Sequence, residues 1–346
     1  MNTLIISDLS LMDQAALIIK QGGLVAVPTE TVYGLAANGL NPNAVLNIYK
    51  AKGRPSDNPL ILHIDSLDML TDLAAEISED AIRLIDAFWP GPLTLIFKSS
   101  NKVPSVTRAG LETVAIRFPS HPVMHSLISH CKLPLAAPSA NTSGKPSPTN
   151  AKRVIEDLYG KVDAIIDGGE CSFGLESTVV DTTSKPFTIL RPGAITYDMI
   201  KEVIGHITID PAIITHNLSL NQKPKAPGMK YTHYSPNAQV VIVQGEISQV
   251  ISKIKDLCLE ETKNGKSIGI LATDELLEAF SPYFVLSAGK SMESLGEIAS
   301  NLFEVLRKFD DHKVDIVYSI AFPSLGIGQA IMNRLEKSSG YTFINA

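Results

Sequence analysis

Short apolar runs alternate with amphipathic stretches along the first 207 residues. Runs bounded by Gly, Pro or polar residues predict buried strands, whereas apolar residues spaced three and four apart predict helices. The predicted strands cover residues 4–6, 24–27, 60–64, 93–98, 113–118, 133–137, 164–166, 177–181 and 188–190. The predicted helices cover residues 10–20, 66–73, 79–88 and 150–158, and a further helix begins at residues 41–42. This alternation is typical of an α/β domain.

Two of these helices carry recognisable end signals. Ser10 stands where an N-cap is expected for the helix at 10–20, and Gly22 and Gly23 follow that helix. Asn41 and Pro42 have the N-cap and first-turn residue types for a helix that begins just before residues 50–59. The sequence thus predicts where both helices begin.

The last third of the chain repeats the alternation on a smaller scale. Predicted strands at 240–243, 267–271, 284–286 and 315–321 alternate with helices at 248–263, 274–279, 295–309 and 329–336. Such a pattern predicts a small parallel-sheet domain. Between the halves, residues 211–237 are rich in Asn and Pro and lack apolar periodicity, which indicates a linker. We therefore predict domains at 1–207 and 239–346, joined by residues 208–238.

Composition narrows the class of protein. A chain of 346 residues is too long for one core, which agrees with two domains. A net charge of −6 argues against a general nucleic-acid coat protein. The three cysteines, Cys131, Cys171 and Cys258, are widely separated and favour a reducing cytoplasm. We find neither a signal peptide nor a membrane-spanning run, and expect a cytoplasmic protein without a membrane partner.

Candidate binding chemistry begins at residues 50–59. Lys50, Lys52 and Arg54 lie within five residues on a predicted helix-to-strand connection, where α/β proteins often bind ligands. The competing interpretation is a solvated helix end, whose dipole also favours cations. The stretch alone leaves both interpretations open.

Polar segments follow several other predicted strands. Residues 29–35 and 139–148 are dense in hydroxyl groups and come directly after strands, a position that suits anion binding. Ordinary turn chemistry or a linker is the alternative. Arg117 lies in an otherwise apolar strand and needs either an anionic ligand or a structural ion pair. Arg191 begins a second cationic turn.

Several familiar site motifs are missing. There is no P-loop sequence, and Ile331 occupies the third glycine position of a dinucleotide fingerprint at Gly326 and Gly328. His121 and His125 have metal-ligand spacing, but the Glu of a zincin motif is absent and a surface pair is expected. No serine or cysteine triad is evident, although triads are defined by geometry rather than by sequence.

Three segments, taken together, resemble a known family. They are KGRP at 52–55, SANTSG at 139–144 and PGMKYTHYSP at 227–236; PTETVYGL at 28–35 is also similar. In order and spacing they resemble the two-domain threonylcarbamoyl-AMP synthases of the YrdC-like family. The resemblance covers nearly the whole chain. It implies a twisted mixed α/β sheet domain with a concave basic face, joined to a smaller Rossmann-like parallel-sheet domain.

The resemblance also implies an activity. Family members use ATP, L-threonine and bicarbonate to make L-threonylcarbamoyl-AMP, a nucleotidyl transfer that releases pyrophosphate. Their product supplies the group placed on a tRNA adenosine beside the anticodon. The implied partners are downstream tRNA threonylcarbamoyl-transfer proteins, with weak RNA contact as a further expectation. We expect Mg²⁺ to be held mainly by ATP phosphates, because no carboxylate cluster is visible.

Site residues follow from the same resemblance. The implied ATP contacts are Arg54, Asn58, Thr113, Ser139, Ser147, Arg191 and Tyr234. The implied threonine contacts are Thr31, His63, Arg117, Ser177 and the backbone of Ala137. Arg117 would pair with the substrate carboxylate. On chemical grounds, Asn141 and Ser143 add neutral donors toward ATP, and Lys52 and Arg54 face the charge that develops on phosphorus.

Three expectations complete the sequence analysis. Loss of Lys52 or Arg54 should lower turnover by roughly two orders of magnitude without harming the fold. The linker, which carries Lys230, Tyr231, His233 and Tyr234, should act as a lid over the nucleotide, with a passive spacer as the alternative. The competing function is an RNA-binding module without catalysis, which the acidic net charge disfavours.

Overall fold

The structure is a computed structural model that describes residues 2–215 and 234–346. It divides into two compact units. Of the described residues, the first unit comprises 2–143 and 147–215, and the second comprises 144–146 and 234–346.

The first unit alternates strands with helices, as its sequence predicts. Its strands are β1 (Leu4–Ile6), β2 (Val25–Val27), β3 (Gly34–Asn38), β4 (Ile61–His63), β5 (Leu93–Lys98), β6 (Thr113–Arg117), β7 (Leu135–Ala136), β8 (Ala164–Ile166), β9 (Thr178–Asp181), β10 (Phe187–Arg191) and β11 (Ile207–Ile209). Its helices are α1 (Met12–Lys20), α2 (Pro42–Lys52), α3 (Leu67–Leu73), α4 (Glu79–Phe88), α5 (Pro122–Cys131), α6 (Ala151–Leu158), α7 (Tyr197–Ile204) and α8 (Pro211–Thr215).

These strands form one mixed sheet. Its order, within the described residues, is β1-β8-β2-β3-β7-β4-β6-β5-β9-β10-β11. Strands β4 and β6 are parallel, with His63 beside Arg117, and β5 runs antiparallel to β6, with Thr94 opposite Arg117. Because directly paired residues project from the same face, these three side chains share one face of the sheet.

The two faces of the sheet are covered differently. One face packs on α2, α3, α4, α6 and α7 and contains the larger apolar cluster of the unit. On the other face, α1 and α5 pack over β2, β3, β7 and β8. Along β4, β6, β5, β9 and β10 this second face carries a small cluster whose members all lie on strands: Ile61, Ile96, Ala115, Val179 and Leu190. We call this cluster the strand floor.

The second unit contains a parallel sheet. Its strands are β12 (Gln239–Gln244), β13 (Ile268–Ala272), β14 (Val285–Ser287), β15 (Ile316–Ile320) and β16 (Phe343–Asn345). Its helices are α9 (Ile247–Lys263), α10 (Leu295–Asp311) and α11 (Gly328–Ser338). The order is β14-β13-β15-β12-β16, and every recorded pairing is parallel. This architecture confirms the predicted fold class.

Some local predictions were wrong. Ser10 is not the N-cap of α1, because a 3-10 turn at Leu9–Leu11 precedes the helix and Asp8 caps that turn. The helix predicted at 274–279 is replaced by two 3-10 turns, Asp274–Leu276 and Glu278–Phe280, which are separated at Leu277. By contrast, Asn41 caps α2 as predicted, and its Oδ1 accepts from the backbone N–H groups of Asn43 and Ala44.

The predicted linker is described only at its ends. Residues 211–215 form α8, and β11 just before it pairs with β10 in the first unit. Residues 216–233 lie outside the described residues. They include Lys230, Tyr231 and His233, on which the lid hypothesis depends. Tyr234 is described, and it belongs to the second unit.

Candidate active site

Lys52 is buried at the end of α2. Its side chain is 2% exposed, and its ammonium donates to the backbone carbonyl of Ser139 and, at 2.5 Å, to that of Asn141. Gly53 follows in the left-handed conformation at φ 62°, which ends the helix and turns the chain toward Arg54. Lys52 is therefore not a solvated helix end.

The hydroxyl-rich loop after β7 is ordered by bonds to itself and to α2. Ser139 Oγ donates to Asn141 Oδ1 at 2.5 Å, and Asn141 Nδ2 donates to the carbonyl of Thr142 at 2.9 Å. The backbone N–H of Ser143 donates to the carbonyl of Lys52 at 2.9 Å. The loop and the end of α2 thus hold each other in place.

The two hydroxyl-rich segments that sequence analysis singled out are neighbours. Ala140 N–H donates to the carbonyl of Tyr33, and Tyr33 N–H donates to the carbonyl of Pro148. Ser147, in the same loop, donates through its hydroxyl to Glu176 Oε1 at 2.6 Å. The residues predicted from separate segments are therefore assembled in one region of the first unit.

Arg117 ends β6 and is 4% exposed. Its Nε donates to the carbonyl of Gly91 at 3.2 Å, and its Nη1 donates to Thr31 Oγ1 at 2.9 Å. Its Nη2 lies 2.7 Å from Glu30 Oε1, but the N–H bonds of Nη2 miss that oxygen. Nη2 thus makes an ion pair and has no hydrogen-bond acceptor among the described residues. A buried donor without an acceptor costs stability, which is typical of a ligand site.

His63 lies beside Arg117 on β4 and is held neutral. Burial, and next the positive charge of Arg117, lower the pKa of His63 to about 3. Its Nδ1 is buried and has no hydrogen-bond partner within the described parts of the chain. A neutral imidazole offers one donor and one acceptor, and therefore suits a hydroxyl-bearing ligand.

Ser177 joins the residues predicted for threonine to those predicted for ATP. Arg191 donates from Nε to the Ser177 carbonyl at 3.0 Å and from Nη2 to Ser177 Oγ at 3.1 Å. Thr94 Oγ1 lies 2.8 Å from the same Ser177 Oγ. A Cβ at Gly193 would lie 2.4 Å from the backbone nitrogen of Thr178, so only glycine allows this close approach.

A second set of predicted residues lies toward the amino ends of β4 and β6. Asn58 is 1% exposed, and neither its side-chain nitrogen nor its side-chain oxygen has a partner among the described residues. Arg54 Nη2 lies 3.5 Å from the carbonyl of Pro59. Thr113 begins β6, four residues before Arg117, or about 13 Å along the strand. The strand floor, with Ile61 and Ala115, lies between this set and the set around His63 and Arg117.

Two predicted residues have other surroundings. The backbone N–H of Ala137 donates to the carbonyl of Ile61, which occupies its donor. Tyr234 packs within the second unit, where its ring stacks on Phe303 at 5.1 Å between ring centres and lies near the guanidinium of Arg334. A role for Tyr234 in ATP binding stays a prediction.

Sequence reasoning missed three polar residues of this region: Glu30, Thr94 and Glu176. The sequence did contain a signal for Glu30. It is a carboxylate just after a predicted buried strand, and an arginine inside another predicted strand needs an acidic partner. Thr94 gave no signal, since threonine is common in strands.

Comparisons with known proteins agree with this arrangement. A family model described as "Telomere recombination", of the Sua5, YciO and YrdC proteins, matches residues 17–193, and one described as "Threonylcarbamoyl-AMP synthase, C-terminal domain" matches residues 195–340. A Pyrococcus abyssi protein named threonylcarbamoyl-AMP synthase is 48% identical over 95% of this chain and 94% of its own length. The chain belongs to the threonylcarbamoyl-AMP synthase family.

Other members of the family extend the match. The threonylcarbamoyl-AMP synthase of Bacillus subtilis is 47% identical over 94% of this chain and 92% of its own length. The crystal structure of Pyrococcus abyssi Sua5 complexed with L-threonine superimposes with a TM-score of 0.93 at 46% identity, and covers 99% of this chain and 100% of that one. These matches confirm the resemblance, the fold class and the predicted enzyme class.

Two further observations concern metals and membranes. Among the described residues, no group of three or more His, Cys, Asp or Glu side chains could hold a metal ion. His121 is the N-cap of α5, and its Nδ1 accepts from Val123 N–H, whereas His125 stacks on Phe118. No helix in the described part of the chain is long and apolar enough to cross a membrane.

Proposed function

We propose that this chain makes L-threonylcarbamoyl-AMP from L-threonine, bicarbonate and ATP and releases pyrophosphate. The product then supplies the threonylcarbamoyl group for a tRNA adenosine next to the anticodon. The proposal rests on one observation: buried polar atoms without hydrogen-bond partners among the described residues lie at both ends of the strand floor. They are Arg117 Nη2 and His63 Nδ1 at one end and the Asn58 amide at the other.

The chemistry needs no protein nucleophile. Bicarbonate takes up a proton and gives carbon dioxide and water. The neutral amine of threonine then adds to the carbon dioxide and loses a proton, which gives a carbamate. A carbamate oxygen then attacks the α-phosphorus of ATP, the bond from that phosphorus to the bridging oxygen breaks, and pyrophosphate leaves. The site must bring two anions together and stabilise the charge that develops on phosphorus.

The residues divide between the two substrates in this proposal. Arg117 binds the threonine carboxylate, while Thr31, His63 and Ser177 and the backbone of Ala137 surround the rest of the amino acid. Arg54 offers a planar fork to phosphate oxygens, and Asn58 offers its amide. Lys52 acts on the phosphates mainly through the loop it holds, because its ammonium donates to two loop carbonyls. The remaining proposed ATP contacts are Thr113, Ser139, Asn141, Ser143, Ser147, Arg191 and Tyr234.

We propose that Mg²⁺ accompanies ATP and is held by its phosphates. The buried carboxylates nearby are engaged, Glu30 with Arg117 and Glu176 with Ser147, which fits a metal carried by the nucleotide rather than by the protein. When bound, Mg²⁺ would neutralise part of the phosphate charge.

A cytoplasmic location and transfer of the product to downstream tRNA-modifying proteins complete the proposal. The cysteines Cys131, Cys171 and Cys258 are free and buried, which fits a reducing compartment.

The test is pyrophosphate release by the purified full chain. We expect release only when ATP, L-threonine and bicarbonate are all present, together with a product that contains both adenylate and threonine. Release without threonine, or none with the complete mixture, would contradict the proposed function.

A further inference from the structure

Glu30 is the acidic partner of Arg117, and neither the family resemblance nor the sequence analysis assigned it a role. It lies in the segment between β2 and β3 and is 4% exposed. Its Oε1 lies 2.7 Å from Arg117 Nη2 and accepts from Ser120 N–H at 3.2 Å. Its Oε2 is buried without a hydrogen-bond partner among the described residues. The carboxylate thus reaches from one loop to the end of β6.

Glu30 stays ionised despite its burial. Burial alone would raise the pKa of Glu30, but the nearby charge of Arg117 and the hydrogen bond from Ser120 N–H outweigh it and lower the pKa. His63 beside it is neutral, since burial lowers its pKa to about 3. The negative charge of Glu30 therefore balances the positive charge of Arg117, and the group of three side chains has no net charge.

Fold stability does not account for this pair. A buried ion pair contributes little stability over an apolar pair of similar size, because both charges lose their hydration. Within the described part of the chain, the pairing also leaves Arg117 Nη2 and Glu30 Oε2 without hydrogen bonds. Meanwhile Nε and Nη1 of Arg117 are fixed by Gly91 and Thr31, so the guanidinium is held in one orientation. The arrangement keeps Arg117 charged and oriented, with N–H bonds left over for a ligand.

We propose that Glu30 is a positioning and specificity-determining residue for Arg117, which makes the pocket electrically neutral so that it takes a zwitterionic amino acid and excludes phosphate-type anions. The inference rests on the proposed function, because it concerns the threonine end of that site. An amino acid adds no net charge to the pocket. A phosphate or sulfate dianion would leave two buried negative charges uncompensated, at a high cost in desolvation. Triphosphate is thereby kept from Arg117.

The experiment separates the charge of Glu30 from its shape. Glu30→Gln keeps the size and removes the charge, whereas Glu30→Asp keeps the charge and shortens the side chain. Calorimetry on the full chain measures the Kd of L-threonine and of ATP, with and without sulfate as the anion probe, at constant ionic strength. Asp163→Asn is the matched control, because it removes a carboxylate that accepts from Leu24 N–H outside this pocket.

We expect Glu30→Gln to weaken threonine binding at least about tenfold, the scale for breaking one buried charge pair, while the Kd of ATP changes less than about twofold. Sulfate should compete with threonine in Glu30→Gln but not in the wild type, in Glu30→Asp or in Asp163→Asn. A purely structural role would lower thermal stability without creating sulfate competition.

Other results would overturn the inference. Sulfate competition with threonine in the wild type would overturn it, even if Glu30→Gln fails to fold. Equal sulfate sensitivity of Glu30→Gln and Glu30→Asp would also overturn it. A wild type that does not bind threonine contradicts both the inference and the proposed function. A wild type that binds threonine and shows the expected sulfate pattern, yet releases no pyrophosphate, contradicts the proposed function alone.

Discussion

The ammonium of Lys52 lies 2.5 Å from the carbonyl oxygen of Asn141, although 89 residues separate them in the chain. It also donates to the carbonyl of Ser139, and the side chain is 2% exposed. One cation therefore joins the end of α2 to the loop after β7. This relationship changes what a substitution of Lys52 should do.

Lys52→Met should lower the free energy of unfolding by roughly 2–3 kcal/mol, because one buried and one partly buried carbonyl lose a charged donor. This corrects the expectation that Lys52 carries no stability. Arg54→Ala is the matched variant. Because Arg54 is only half-buried, its loss should change the free energy of unfolding by less than about 0.5 kcal/mol. Turnover should still fall roughly a hundredfold, the scale for losing one transition-state donor. Denaturant unfolding measures the stability of each variant, and pyrophosphate release measures its turnover. Equal stability of Lys52→Met and the wild type would rule out this role.

Asn58→Leu should weaken ATP binding without lowering stability. The Asn58 amide is buried and has no partner among the described residues, so an apolar side chain of similar size removes a polar group that is already unsatisfied. We expect the KM for ATP to rise at least about tenfold, a loss on the scale of one to two hydrogen bonds. A clear fall in Tm with unchanged KM for ATP would instead assign Asn58 a structural role.

His63 should make stability depend on pH. The pKa of His63 is about 3 in the folded chain, and about 6.5 in an unfolded one, so between these values only the unfolded chain binds the proton. The free energy of unfolding should therefore fall as pH decreases from 6.5 to 5, by at most about 1.4 kcal/mol per pH unit from this group. His63→Gln should remove that part of the slope. Identical slopes for the two proteins would show that His63 is not buried neutral.

Substrate choice should follow the hydroxyl group. Thr31, neutral His63 and Ser177 surround the proposed threonine position. A site that hydrogen-bonds a hydroxyl group discriminates strongly against an analogue that lacks the hydroxyl, and less strongly against a smaller analogue that keeps it. Serine should therefore compete with threonine better than valine does, as measured by pyrophosphate release in mixtures. Equal use of valine and threonine would contradict a polar pocket.

The sequence predicted the elements well where apolar periodicity was strong. Helix α4 and strand β5 have the predicted bounds, because each is a clean pattern between turn signals. The 3-10 turn before α1 was missed, since Asp8 and Ser10 are both good capping residues and only the backbone decides between them. The short strand β11 was missed because it is stabilised by pairing with β10 rather than by its own pattern.

The site was predictable in its residue types but not in its pairings. Arg117 drew attention as a charge in an apolar strand, and the alternative of a structural ion pair is confirmed by its pairing with Glu30. The alternative of an anionic ligand stays a prediction, which the spare donor Nη2 supports among the described residues. The identity of its partner was not predictable, because Glu30 is 87 residues away and no local spacing connects them. Likewise, the sequence left both a solvated helix end and a binding loop open for Lys52, and only its contacts with the carbonyls of Ser139 and Asn141 exclude the solvated end.

The two ends of the proposed site lie on the same pair of parallel strands, β4 and β6, whose register is fixed by Ile61 beside Ala115 and His63 beside Arg117. Their separation is therefore a property of the backbone. Substitutions can change what each end binds, but not how far apart the ends are. Inserting one residue in β4 would turn His63 to the opposite face of the sheet. Substrates of a different length would thus require changes in side-chain size at one end, while the strands stay as they are.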